Sequence, residues 1–92
     1  VIMAMKDYRN LRKALGKEEE WPQLYMFKFI VPNQHGKVDK VVSMLPEESD
    51  ISFKHTKSLR HVSVTCKAMM SHPDDVITIT QNVTALEGVM AL

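Results

Sequence analysis

The chain is 92 residues long, 45% hydrophobic and 25% charged, with twelve basic residues set against eleven acidic ones. That length allows one domain with one modest core, in the balance of an ordinary globular protein. The net charge of +1 argues against a dedicated nucleic-acid binder, no apolar run approaches the roughly 18 residues of a membrane span, and a single cysteine excludes an internal disulfide framework. The lone thiol suits a reducing cytoplasm of bacterial type. Val1–Met5 is too short for a secretory signal and lacks its flanks.

Residues 1–22 read as an N-terminal extension. Between Asp7 and Leu15, the residues Tyr8, Leu11, Arg12 and Leu15 fall at helical spacing, and Gly16 stops the helix. Lys17-Glu18-Glu19-Glu20 is a solvated charge run, and Trp21-Pro22 breaks the helical pattern.

The compact domain is expected over 23–92. Leu24–Val31 alternates as a strand, with Tyr25, Phe27, Phe29 and Val31 on one face and Met26, Lys28 and Ile30 on the other. A turn over Pro32–Gly36 leads to a helix from Lys37 to Leu45, with Val38, Val41, Val42 and Leu45 in one stripe and Pro46 as its stop. Ile51–Lys57 forms a second strand, placing Ile51, Phe53 and His55 together. Lys57-Ser58-Leu59-Arg60 is short enough to close a hairpin onto His61–Met69. There Val62, Val64, Cys66 and Ala68 alternate with His61, Ser63, Thr65 and Lys67.

Ser71 is expected to cap a second helix, with Pro73 in its first turn and Asp74 and Asp75 complementing the positive end of the helix dipole. The β-branched run Ile77–Thr80 favours a strand on propensity alone. The cap and the helical spacing of Val76, Ile79 (or Thr80) and Val83 favour a helix. Gly88–Leu92 completes the order as a last strand. Crossovers of one hand place both helices on one side of the sheet. The expected fold is therefore α+β: a two-layer βαββαβ ferredoxin-like sandwich, a four-stranded antiparallel sheet with one open face.

The opening strand Pro22-Gln23-Leu24-Tyr25-Met26-Phe27-Lys28-Phe29 and the later His61-Val62-Ser63-Val64-Thr65 resemble the small bacterial YbeD-like proteins, a family of unknown function, in order and separation. The resemblance spans about Glu20 to Leu92. It implies a ferredoxin-like domain similar to the ACT regulatory domains that sense small molecules, and it supplies no catalytic residues. One departure is the connection Lys57–Arg60, which is shorter than the family pattern and lacks a Ser/Gly-rich stretch.

Two regions are candidates for function. The turn residues Asn33, His35, Gly36 and Lys37 precede a helix, where free amides attract anions and Gly36 permits close approach, so a small anionic ligand is one expectation. The resemblance to ACT-like domains, which bind amino acids near such a loop, points the same way. The second region is the open sheet face, with Met26, Lys28, Ile30, Ser63, Thr65 and Lys67, joined by Met90 and Leu92. Its half-apolar character suits a protein partner or a second copy of the chain.

Cys66 lies on the apolar face, where a thiol packs as a small hydrophobe. A two-residue turn at Ser58-Leu59 would set His55 opposite Val62, with His55 and His61 on opposite faces, so no metal site is expected. No cofactor or enzymatic residue set is expected. The reading is a non-enzymatic cytoplasmic regulatory or interaction module. The alternative is RNA binding through Lys28, Lys54, Arg60 and Lys67, against which stands the inward direction of Phe27 and Phe29.

Overall fold

The computed structural model describes residues 21–92, so the expected helix at Asp7–Leu15 and the rest of the extension lie outside the described residues. Six elements follow in the expected order: β1 (Gln23–Pro32), α1 (Lys37–Ser43), β2 (Ser49–His55), β3 (His61–Met70), α2 (Pro73–Thr84) and β4 (Met90–Ala91). The sheet order is β2-β3-β1-β4, antiparallel throughout. This is the ferredoxin-like βαββαβ arrangement, and it follows from two crossover helices flanking a central hairpin.

Period-two alternation decides which sheet face is covered. Phe27, Phe29 and Val31 of β1 and Val62, Val64, Cys66, Ala68 and Met70 of β3 are buried. They share one core with Val41 of α1, with Leu45 just past its end, and with Val76, Ile77 and Val83 of α2. Inside it, Tyr25 meets Phe27 edge-on at 4.8 Å and Phe27 stacks along Phe29 at 6.1 Å.

The β-branched stretch is helical, since Val76, Ile77, Thr80 and Val83 share the buried stripe of α2. Thr80 sits in the core because its hydroxyl donates to the Val76 carbonyl at 2.8 Å, and Thr84 donates likewise to the Thr80 carbonyl at 2.6 Å. Tertiary burial thus overrides a local strand preference.

Four details depart from the expectation. The cap of α2 is His72, in extended conformation and with no side-chain cap bond, so Ser71 lies one residue outside. Helix α1 ends at Ser43 rather than Leu45, because the Met44 and Leu45 amides turn back to the Val41 and Val42 carbonyls, at 3.0 and 3.1 Å, ahead of Pro46. Phe53 shares the core-side register with Ile51 yet stays 53% exposed, since β2 is an edge strand that neither helix covers. Finally, β4 spans only Met90–Ala91, because Gly88 turns the chain at φ +81° instead of extending it. Beyond the pairs at Phe29 and Ile30, the Leu92 amide donates to the Lys28 carbonyl at 2.9 Å. No helix among the described residues is long and apolar enough to cross a membrane.

Candidate functional site

The ladder register turns the uncovered face into a grid. Leu24 stands beside Met69, and the next row runs Met26, Lys67, Asp50. The third row runs Lys28, Thr65, Ser52, with Leu92 bonded alongside Lys28, and the fourth runs Met90, Ile30, Ser63, Lys54. Neighbours lie roughly 4.8 Å apart across strands, and rows are roughly 6.8 Å apart along them.

The apolar end of this grid is exposed. Leu24 is 63% accessible, Met26 55% and Met69 64%. Ile30, Ser63 and Thr65 are half-buried between their cross-strand neighbours, while Lys28 and Lys67 are exposed. Two shallow clefts meet here, one walled by Leu24, Glu48, Asp50, Lys67 and Met69, the other by Asp50, Ser52, Thr65 and Lys67. All six residues expected on this face are there. Leu24, Met69 and Asp50 belong with them and were missed, although extending the alternation by one pair in β1 and β3 places the first two.

The turn before α1 uses its polar groups to hold the fold. Asn33 donates from Nδ2 to the Leu59 carbonyl and from its amide to the Arg60 carbonyl, both at 2.8 Å, tying β1 to the β2–β3 turn. The Lys37 ammonium donates to the Glu87 carbonyl at 2.8 Å, in the loop after α2. Gly36 caps α1 in the left-handed region at φ +76°, and a Cβ there would meet nothing within 4 Å. His35 is exposed. Thus Asn33 and Lys37 reach to two different loops, and α1 is only seven residues long.

His55 pairs with Val62, and the Thr56 amide donates to the His61 carbonyl at 3.1 Å, so the two imidazoles leave opposite faces of the sheet. Among the described residues, no three histidine, cysteine or acidic side chains gather as a metal site. Cys66 is fully buried. Burial pushes its thiol above the ordinary value, against a smaller opposing hydrogen bond from the Ser49 side chain, and burial likewise raises the Tyr25 phenol. A protonated, enclosed thiol is a poor nucleophile.

The family model described as a protein of unknown function (DUF493) matches residues 17–92, nearly the whole chain. That match agrees with the YbeD-like resemblance of the first and third strands. No curated protein and no solved structure matches the chain.

Proposed function

The chain belongs to the DUF493 family, whose function is unknown, and from that premise we propose that it is a non-enzymatic protein-interaction module of the cytoplasm, with the open sheet face as its contact surface. The observation that carries this reading is the cluster of Leu24, Met26 and Met69, adjacent in the ladder and each more than half exposed. A contiguous apolar patch of this kind costs solubility unless something covers it, and it marks interaction sites on small domains.

Two further observations support it. Cys66 is enclosed; His55 shares its sheet side but pairs with Val62, four residues along the strand, and His61 leaves the opposite face, so neither histidine makes a nucleophile–base pair with the thiol. At the Asn33–Lys37 turn, two of the four expected ligand groups already serve the fold. Sensing of a small anion, as in ACT-like domains, is therefore the weaker reading. A shift in thermal stability with one small carboxylate, abolished by Gly36→Asp, would restore it.

Site-specific photo-crosslinking in cells tests the main reading. A benzophenone side chain at Ser52 or Thr65 is expected to give discrete protein adducts, whereas one at Gln81 on the exposed side of α2 is expected to give none. Identical adducts from both faces would refute the assignment, and turnover of a substrate that is lost on changing one residue would refute the non-enzymatic part.

A further inference from the structure

Charge on the open face narrows what can cover it. Lys28, Lys54 and Lys67 stand there against two acidic groups, Asp50 on the face and Glu48 at the wall of its cleft, and none of the three ammonium groups has a partner among the described residues. The face thus carries one net positive charge, as does the whole chain, so the remainder is balanced and the positive excess belongs to this surface. The apolar cluster lies at one end, and the lysines fan out from it. Lys67 sits one row from the Leu24–Met69 pair, Lys28 one row further on the neighbouring strand, and Lys54 in the last row.

We propose, resting on the open-face reading above, that the occupant is an acidic amphipathic segment of another protein. Its apolar side chains cover Leu24, Met26 and Met69, and its carboxylates meet Lys67 and Lys28. The grid from Leu24 to Lys54 is roughly 20 Å long. That is the length of about thirteen helical residues. A carboxylate a little over one helical turn beyond the Leu24–Met69 anchor would reach Lys67, and one about two and a half turns beyond it would reach Lys28.

Other occupants fit less well. A second copy would bring lysines against lysines on a face whose charge excess is positive. Single-stranded RNA needs ring faces for its bases, and the described strands put Tyr25, Phe27 and Phe29 on the core side, packed against each other. The open-face positions carry leucine, methionine, isoleucine, lysine, serine, threonine and one aspartate instead. Methionine and lysine together suit an adaptable apolar contact rimmed by charge.

The test is selection of a displayed random 12-residue peptide library on the full chain, on a Lys28→Ala/Lys67→Ala variant and on a Leu24→Ser/Met69→Ser variant, with a uridine dodecamer as competitor. Enriched peptides are expected to be net acidic with at least two large apolar residues. They should bind the double-lysine variant about fivefold more weakly, the combined effect of two exposed charge contacts. Binding should fall further as salt is raised. Neutral or basic peptides, absence of any enriched peptide, indifference to the lysine changes, or displacement by the dodecamer would each overturn the acidic partner. Neutral or basic peptides that still lose binding on the Leu24→Ser/Met69→Ser variant would leave the open-face reading standing. Peptides indifferent to both variants would remove both.

Discussion

Replacing Gly88 with alanine should cost about 2–4 kcal/mol, and the structure separates that figure into two parts. At φ +81° the backbone lies in the left-handed region, where a Cβ costs about 1 kcal/mol or somewhat more. The added Cβ would also stand 2.7 Å from Pro32 Cγ. The pyrrolidine ring is closed onto the β1 backbone and cannot swing aside, so the loop or the strand end must shift, at about 1–3 kcal/mol. Gly36 provides the control, since its φ is +76° and a Cβ there meets nothing within 4 Å. Gly36→Ala should therefore cost only the conformational part, about 1 kcal/mol. Against a total stability of about 5–10 kcal/mol, the difference is large. It should appear in urea unfolding as a lower midpoint at unchanged slope, and in heating as a Tm drop of roughly 10–25 °C for Gly88→Ala. A double-mutant cycle isolates the contact. In a Pro32→Ala background the cost of Gly88→Ala should fall toward that of Gly36→Ala, a coupling of about 1–2 kcal/mol. Equal costs for the two glycine substitutions, or strict additivity with Pro32→Ala, would refute the reasoning.

Further outcomes follow from the same geometry. Leu59 is 61% exposed at φ +59°, so Leu59→Gly should raise stability by about 0.5–1 kcal/mol in a thermal melt, and a loss would contradict the strained turn. Leu24→Ser and Met69→Ser should each change stability by less than about 0.5 kcal/mol. Phe29→Ala, at 1% exposure, should cost about 3–5 kcal/mol in the same denaturation series, and comparable effects on both faces would mean the open face is covered within the chain. Cys66 should resist a disulfide-exchange reagent at neutral pH until the protein unfolds, and rapid native labelling would place the thiol elsewhere. Because burial raises the Cys66 thiol from 9.0 and the Tyr25 phenol from 10.0, the folded state disfavours both anions. The stability their protonated forms contribute is complete below those values and is lost as pH rises through the folded ones, which a denaturation series from neutral to alkaline pH should record.

The fold was legible wherever a period of two or 3.6 ran long enough to repeat. β1 and β3 show it over ten residues each, and the register of the hairpin, with His55 opposite Val62, follows from a turn centred on Ser58-Leu59. The misplaced details are those that need tertiary knowledge. Phe53 has the right parity for the core, yet whether it is buried depends on how far the helices reach over an edge strand, which no local pattern states. Gly88 looked like the start of a strand, but its close approach to Pro32, distant in sequence, makes it a turn. The cap of α2 differs by one residue because Pro73 already sets the first helical position and leaves His72, not Ser71, at the boundary.

The structural role of the candidate turn is hidden from the sequence for a related reason. Asn33 and Lys37 carry the chemistry of an anion site, but their partners are main-chain carbonyls of Leu59 and Glu87, and carbonyl positions are silent in a sequence. The open face is the opposite case. Its residues follow from alternation alone, because every strand that buries one parity must display the other. What alternation leaves unsaid is whether the displayed parity is merely tolerated by solvent or kept for contact. Here the displayed positions break the polar rule most openly in one corner, where Leu24, Met26 and Met69 are each more than half exposed, while Ile30 and Met90 at the other end are half-buried and lysines stand between. A face left only to water needs no such corner. The local break in the pattern, rather than the fold it belongs to, is what argues for a partner.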